Sequence, residues 1–201
     1  MKDASASPNG TRSLADEAPV PRGQVYLIAL GSNQRHPHFG SPRAIVQEAF
    51  LALDEAGDVL VTSPIVESAP IGPSKRRYAN AAAVLESELQ PMAMLETLQQ
   101  IERDFGRSRR GQRWRSRTLD LDIVLWSGGI FGSDRLTIPH PLHRTRPFVL
   151  GPAAEIAPAW RDPMTGLSLA QLNHRLTRKR PLPSAPSRGR ALSSVGRATD
   201  F

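Results

Sequence analysis

The chain has 201 residues, with 26 lysines and arginines against 19 aspartates and glutamates, which gives a formal net charge of +7. A hydrophobic fraction of 39% is enough for a folded core, and no run of about 18 apolar residues occurs, so the sequence predicts no transmembrane helix. The chain contains no cysteine, which excludes disulfides and thiolate chemistry and agrees with a cytoplasmic protein.

The two ends of the chain differ in composition from the middle. Residues 1–22 are polar and rich in Ser, Ala, Pro and Asp, and they predict a disordered leader rather than a secretory signal. Residues 175–201 contain seven basic groups and one acid, so most of the net charge lies there. This basic tail is predicted to be solvated and disordered, with a nucleic-acid-binding arm as the alternative. The folded domain is predicted over 23–174.

Strands and helices alternate within this domain. Apolar runs predict strands over 24–30, 59–67, 80–88 and 118–125. Helical spacing of apolar residues predicts a helix over 41–56, with Ser41 as its N-cap, and a second helix that begins at Pro91 and ends at Gly106. The order predicts an α+β fold of the ferredoxin-like βαββαβ type, with helices on one face of an antiparallel sheet. Residues 147–174 are predicted to add short C-terminal helices.

Two carboxylates lie in the last predicted strand. The stretch TLDLDI alternates polar and apolar residues, so Leu119, Leu121 and Ile123 face the core. Asp120 and Asp122 then share the opposite face, with their Cα atoms about 7 Å apart. Carboxylates at this spacing can hold two Mg²⁺ ions about 3.5–4 Å apart, as in two-metal phosphoryl transfer. The alternative is a pair of solvent-facing aspartates with no ligand.

A segment rich in arginine precedes this strand. Residues 103–117 contain seven arginines and one acid, Asp104. The arginine fork fits phosphate oxygens, and a loop that carries such forks, with Trp114 among them, can close over a nucleotide. A solvated charged turn and an RNA-binding patch are the alternatives. The basic segment leads directly into the aspartate pair, and this combination favours a site for a metal-bound triphosphate.

Three further features are weaker. Gly31, Ser32 and Asn33 follow the first strand and predict a tight turn that brings polar donors into a cleft. Asn80 opens a strand, and its amide can pair with a heterocycle. The segment 138–148 concentrates histidine, arginine and phenylalanine. An ordinary turn, a strand-end residue and a proline-rich surface loop explain these features equally well when each is taken alone.

The sequence resembles the 6-hydroxymethyl-7,8-dihydropterin pyrophosphokinase family of the folate pathway in six stretches: ALGSN (29–33), SAPIGP (68–73), YANAAAVLES (78–87), IERDFGR (101–107), RWRSRTLDLDIVLW (113–126) and LTIPHPLHRTRPFVLGPAAEIAPAW (136–160). The resemblance implies the ferredoxin-like fold and transfer of a diphosphoryl group from ATP to the pterin hydroxymethyl oxygen, with release of AMP. It also implies two Mg²⁺ ions. The expected partners are ATP and 6-hydroxymethyl-7,8-dihydropterin, bound by a cytoplasmic monomer without nucleic acid or membrane.

The resemblance also assigns roles to individual residues. The expected catalytic residues are Arg107, Arg117, Asp120 and Asp122, and the two aspartates match the magnesium ligands. The expected ATP-binding residues are Gln99, Glu102, Arg109, Arg113, Trp114, Arg117, Arg135, His140 and Arg146. The expected pterin-binding residues are Ser68, Ala69, Pro70, Ile71, Tyr78, Asn80 and Phe148.

The chain departs from common family members in three segments. The 70–80 loop is about one residue shorter and more basic, the 34–40 segment is unusual, and the tail beyond about 175 has no counterpart in the family.

Three other protein classes fit parts of the pattern. An RNA recognition motif shares the element order but predicts aromatic residues on its central strands, which this sequence lacks. An aspartyl-phosphate phosphatase predicts an apolar strand before its Asp-x-Asp, whereas here the apolar residues continue after it. An ordinary P-loop kinase predicts a G-x-x-x-x-G-K-[ST] loop, which is also missing.

Overall fold

The computed structural model describes residues 23–68, 77–106 and 118–178. The strands are β1 (Gln24–Ser32), β2 (Asp58–Thr62), β3 (Val66–Ser68), β4 (Tyr78–Ser87), β5 (Asp120–Trp126), β6 (Phe131–Gly132) and β7 (Thr137–Ile138). The helices are α1 (Pro42–Ala52), α2 (Pro91–Asp104), α3 (Pro147–Ile156) and α4 (Leu169–Thr177), with 3-10 turns at Leu53–Glu55 and His143–Thr145. The predicted leader and the tail beyond residue 178 lie outside the described residues, and α4 continues past the predicted domain end at 174.

The main sheet is antiparallel, with the strand order β2-β4-β1-β5, and β3 pairs with β4 beside β2. This order confirms the predicted ferredoxin-like arrangement. The predicted strand over 59–67 is divided into β2 and β3. At the break, Ser63 keeps contact with β4, because its N–H donates to the Ala82 carbonyl (2.8 Å) and its Oγ accepts from the Ala82 N–H (2.9 Å). The hairpin of β6 and β7 was not predicted.

Both faces of the sheet are covered. On the α1/α2 face, Tyr26, Ile28 and Leu30 of β1 are buried in one cluster with residues of both helices. On the opposite α3/α4 face, Leu27 and Ala29 are buried in a second cluster with residues of the C-terminal helices. The prediction of helices on one face holds for α1 and α2 only. The sequence of β1, QVYLIAL, is apolar on both sides, as is typical of a strand buried on two faces.

The first two helices begin where their sequences predict, and α2 ends next to the predicted Gly106, whereas α1 ends at Ala52 and is followed by the 3-10 turn Leu53–Glu55 instead of continuing to residue 56. The Oγ of Ser41 accepts a hydrogen bond from the Ala44 N–H (3.3 Å), so it satisfies one of the free donors of the first turn of α1. The helix α2 has Pro91 in its first turn, and Gly106 follows its end with φ of +79°. Among the described residues, no helix is both long and apolar enough to cross a membrane.

A buried ion pair links the C-terminal helices to the rest of the domain. The Asp162 side chain is fully buried, and its carboxylate accepts two hydrogen bonds from the guanidinium of Arg144, at 2.6 and 2.8 Å. It also accepts from the Thr165 hydroxyl (2.7 Å) and the Met164 N–H (3.1 Å). Burial alone would raise the pKa of this carboxyl, but the hydrogen bonds from Arg144, Thr165 and Met164 outweigh it and lower the pKa to about 2.

This lowered pKa makes the stability of the domain depend on pH. The ordinary pKa of an aspartate is 3.8, so the contribution of Asp162 is present above that value and is lost as the pH falls toward 2. We expect Asp162→Asn to lower the free energy of unfolding by about 2 kcal/mol at pH 7, and by roughly half as much at pH 3. Urea unfolding of both proteins at the two pH values measures this difference. Equal differences at both pH values would contradict the expectation.

Candidate functional site

The strand register places Asn80, Gly31 and Asp120, all noted in the sequence, side by side in one row across three strands. Asn80 of β4 lies opposite Gly31 of β1, and Gly31 lies opposite Asp120 of β5. Directly opposed residues of antiparallel strands point to the same face of a sheet. The next row contains Ala82, Ala29 and Asp122 in the same order. Because Ala29 and Ala82 belong to the α3/α4 face cluster, both rows lie on that face.

Small residues separate the amide from the carboxylates. A Cβ placed on Gly31 would lie 3.6 Å from the Oδ1 of Asn80, so the missing side chain leaves an open strip between Asn80 and Asp120. We call Ala29, Gly31 and Ala82 the floor of the site. The sequence predicted a tight turn at Gly31, and this prediction is wrong, because both Gly31 and Ser32 are paired residues of β1.

The two aspartates lie on the face that their spacing predicts. Leu119, Leu121 and Ile123 are buried in the α1/α2 face cluster. Asp122 is opposite Ala29 on the α3/α4 face, and its side chain is 37% exposed. Asp120 is half-buried on the same face, so both carboxylates border the floor.

His140 lies beside this pair. Its N–H donates to the Val124 carbonyl (3.0 Å), which attaches it to β5. Its Nδ1 accepts from the Leu142 N–H (3.1 Å), so the proton of the neutral ring is on Nε2, which lies 3.8 Å from the Oδ2 of Asp122. Burial and the nearby charge of Arg146 lower the pKa of His140, and they outweigh the opposite effect of Asp120. The ring is consequently neutral at physiological pH.

The first turn of α3 adds a cation and an aromatic ring. The guanidinium carbon of Arg146 lies 5.8 Å from the ring centroid of Phe148. Phe148 is half-buried against the α3/α4 face cluster, and α3 packs over β4 and contacts β3. Arg146 and Phe148 therefore lie on the same face of the sheet as the floor.

The amide of Asn80 has a defined orientation. Its Nδ2 donates to the Oγ of Ser68 (2.9 Å), and its side chain is almost fully buried. Ser68 is the β3 partner of Tyr78, which is half-buried at the start of β4. Since the Nδ2 is bound to Ser68, the Oδ1 is directed toward the floor, where it can accept a hydrogen bond from a ligand.

Three other predicted ATP-binding residues lie on α2 or in contact with it. Glu102 is buried, and its carboxylate accepts a hydrogen bond from the Leu121 N–H (2.9 Å), on the edge of β5 where no strand pairs within the described part of the chain. Arg135 follows β6 and forms an exposed ion pair with Glu96 of α2 (3.1 Å). Gln99 is half-buried on α2. Glu102 and Arg135 thus have partners within the protein that the sequence did not predict.

The remaining predicted residues lie outside the described part of the chain. They are Ala69, Pro70 and Ile71 of the pterin set, and Arg107, Arg109, Arg113, Trp114 and Arg117 of the nucleotide and catalytic set. Their roles stay predictions.

The donor set around the two aspartates fits magnesium. Among residues 23–68, 77–106 and 118–178, no group of three or more histidine, cysteine, aspartate or glutamate side chains is arranged to hold a metal. Asp120 and Asp122 are two carboxylates on one open surface, and Mg²⁺ binds through one or two carboxylates together with phosphate oxygens and water. The site therefore suits a metal that arrives with a phosphate ligand, and it does not suit a closed protein cage.

Sequence reasoning missed two features of this region. Gly31 was noted only as a turn residue, because the predicted strand ended at residue 30; inside the longer observed strand, a glycine is a sign of close approach by a ligand or another chain. The ion pair of Arg144 and Asp162 left no local signal, because its partners are 18 residues apart and belong to different turns.

Comparison with known proteins gives a consistent result. The model of the family described as "7,8-dihydro-6-hydroxymethylpterin-pyrophosphokinase (HPPK)" matches residues 27–158. A "2-amino-4-hydroxy-6-hydroxymethyldihydropteridine pyrophosphokinase" from Synechocystis is 41% identical over 160 residues, which is 80% of each chain. A protein of the same description from Pseudomonas aeruginosa is 42% identical over 141 residues, covering 70% of this chain and 85% of the relative.

A solved structure has the same fold. The crystal structure of Plasmodium falciparum HPPK-DHPS superposes with a TM-score of 0.60 at 12% sequence identity, over 79% of this chain. This chain spans 45% of that longer chain. The likeness at this identity concerns the fold alone.

Ligand binding over the floor can be tested by adding a side chain at Gly31. Gly31→Ala is compatible with β1, because the new methyl group would meet the Oδ1 of Asn80 at an ordinary contact distance of 3.6 Å. We expect stability to stay the same or to rise by up to about 1 kcal/mol, while affinity for a pterin, the ligand that the resemblance predicts, falls at least about tenfold. Thermal unfolding and calorimetric titration measure the two effects. Unchanged pterin affinity would show that no ligand approaches Gly31.

Proposed function

This chain belongs to the 7,8-dihydro-6-hydroxymethylpterin-pyrophosphokinase family, and we propose that its reaction takes place on the floor between Asn80 and the two aspartates. The reaction is the transfer of the pyrophosphoryl group of ATP to the hydroxymethyl oxygen of 6-hydroxymethyl-7,8-dihydropterin, in folate biosynthesis. Its products are the pterin diphosphate and AMP. The observation that supports the location is the row of Asn80, Gly31 and Asp120 across three strands.

The pterin is proposed to bind at the β3 and β4 side of the floor. Asn80 presents its Oδ1 there, and the bond to Ser68 prevents the amide from turning over. A fixed amide pairs with the donors and acceptors of a flat heterocycle more selectively than a rotating one, because less conformational entropy is lost on binding. Phe148 supplies an aromatic face, and Tyr78 is placed at the end of the same strand pair.

The nucleotide phosphates are proposed to bind at the β5 side. Asp120 and Asp122 would hold Mg²⁺, two ions according to the resemblance, which would neutralise charge on the phosphate oxygens and lower the pKa of a bound hydroxyl. His140 has its Nε2–H directed to this side and donates as a neutral group. Arg146 adds a permanent positive charge on the same face of the sheet. Arg107 and Arg117 are expected to join them.

These groups act by position and by charge. In this reaction the attacking alcohol, the transferred group and the leaving AMP must lie in line. Asn80 would hold the pterin at one end of the floor while the aspartates and His140 hold the phosphates at the other, so the reactants meet across Gly31. Arg146 and the His140 N–H oppose the negative charge that moves onto the leaving group. No covalent enzyme intermediate is required.

The other classes fit the structure less well. An RNA recognition motif binds bases on the open face of its sheet, but here Leu27 and Val84 of that face are buried under the C-terminal helices. A kinase that transfers one phosphoryl group would release ADP instead of AMP.

We still expect the protein to be a cytoplasmic monomer that binds neither nucleic acid nor membrane. These properties fit an enzyme that consumes ATP.

The aspartates are the sharpest test of the proposal. We expect Asp120→Asn and Asp122→Asn each to reduce kcat by two or more orders of magnitude, since each removes one negative oxygen donor for magnesium, while the fold is kept because both side chains are partly exposed. The assay is incubation with ATP, Mg²⁺ and 6-hydroxymethyl-7,8-dihydropterin, followed by chromatography of the nucleotides.

The matched control is Asp54→Asn, which makes the same change at an exposed position of the 3-10 turn after α1. This variant should form AMP at the wild-type rate. Magnesium-dependent AMP formation by Asp120→Asn at that rate would refute the metal assignment, and ADP as the product of the wild-type protein would refute the reaction.

A further inference from the structure

The segment from His140 to Arg146, which we call the phosphate-side turn, carries two residues of the proposed nucleotide site. It is a compact unit, because the His143 N–H donates to the His140 carbonyl (3.1 Å) and the Thr145 N–H donates to the Leu142 carbonyl (3.2 Å). Such internal bonds keep the shape of the turn. They do not decide where the turn lies relative to the aspartates of β5.

Two contacts with different elements set that position. At its start, the His140 N–H donates to the Val124 carbonyl of β5. Near its end, Arg144 donates through Nε and Nη2 to the two carboxylate oxygens of Asp162. A two-point contact between planar groups restricts angle as well as distance. The pair therefore limits rotation of the turn about its attachment to β5.

Hydrogen bonds within its own turn hold Asp162 in place, in addition to its pair with Arg144. Its N–H donates to the Leu167 carbonyl (2.9 Å), and its own carbonyl accepts from the Gly166 N–H (2.8 Å). The hydrogen bonds from Thr165 and Met164 further fix the carboxylate. The carboxylate is thus a rigid part of the turn that precedes α4.

The buried ring of His143 connects Arg144 to His140. The His143 side chain is fully buried, and its Nδ1 lies 2.7 Å from the His140 carbonyl oxygen. Burial lowers the pKa of His143, so the ring stays neutral and its Nδ1–H can donate to that carbonyl. A shift of the backbone at Arg144 would move this ring and, through it, the residue that faces Asp122.

We propose that Asp162 is a positioning residue for the nucleotide half of the site, which acts through Arg144 to hold His140 and Arg146 beside the carboxylates of β5. The inference rests on the proposed function, since it takes the phosphate-side turn as part of the ATP site. Arg144 is assigned a supporting role and not a phosphate contact, because its Nε and Nη2 donors are both engaged by the carboxylate of Asp162. The C-terminal helices, outside the βαββαβ core, would in this way support catalysis.

The first test compares Asp162→Asn with Arg161→Ala. Arg161 stabilises the same turn through a bond to the Gly166 carbonyl (2.8 Å), but it does not form the pair with Arg144. We expect Asp162→Asn to raise the KM for ATP roughly tenfold, as loss of a supporting hydrogen bond behind a binding residue commonly does, and to leave the KM for the pterin within about twofold. Arg161→Ala should change neither value.

The second test reads the position of His140 without any reaction. The chain has five histidines, so their imidazole signals can be followed by NMR in protein free of nucleotide and metal, with the His140 signal assigned from His140→Gln. Asp162→Asn should shift the His140 signal and leave those of His36 and His174 in place. This result would stand even if the wild-type protein made no AMP, which separates failure of the inference from failure of the proposed function.

Arg144→Lys covers the case in which Asp162→Asn does not fold. It keeps the positive charge and loses the two-point fork, so it should give a smaller change of the same kind in both measurements. The inference is overturned if the folded variant shifts neither the KM for ATP nor the His140 signal relative to Arg161→Ala. Tighter ATP binding by Asp162→Asn would also overturn it, since that would show Arg144 acting on phosphate once released.

Discussion

The pairing of β1 with β4 on one side and β5 on the other determines where Asn80 and the two aspartates of the site lie. Gly31 is opposite Asn80 in one pairing and opposite Asp120 in the other, so one backbone position sets the separation of the amide from the carboxylate. A slip of one residue in either pairing would move a whole strand's side chains to the opposite face. The apolar residues of β1, which are buried on both faces, make such a slip costly.

Coverage of both faces explains why the site is confined to one end of the sheet. The α1/α2 face is filled by large apolar side chains of the sheet and of the two helices. On the α3/α4 face, the C-terminal helices cover Leu27 and Val84, and Ala29 and Ala82 belong to the same buried cluster, whereas Gly31 is half-buried at the end of β1 where it lies opposite Asn80 and Asp120. The same helices that complete the core therefore also limit the space in which a ligand can bind.

The titratable side chains of the site differ in burial and in partners, and their proposed roles differ accordingly. Asp120 and Asp122 remain partly exposed, as carboxylates that meet a cation and its water should be. Asp162 is the opposite case, since it is buried and its charge is balanced by Arg144 and by hydrogen bonds from the Met164 N–H and the Thr165 hydroxyl. His140 lies between these two settings and stays neutral, because burial and Arg146 outweigh the attraction of Asp120. Burial and hydrogen bonding, more than residue type, distinguish the proposed magnesium ligands Asp120 and Asp122 from the proposed positioning residue Asp162.

Local patterns in the sequence were enough to predict the main βαββαβ order, the N-cap at Ser41, the common face of Asp120 and Asp122, and the resemblance to a pyrophosphokinase family. Each of these follows from local periodicity or from short motifs, which report on a residue and its close neighbours. Only the tertiary structure decided that Asn80 and Asp120 flank Gly31, that α3 and α4 cover the second face, and that Arg144 meets Asp162. These contacts join segments far apart in the chain, and their geometry depends on strand register and packing, which no local pattern contains.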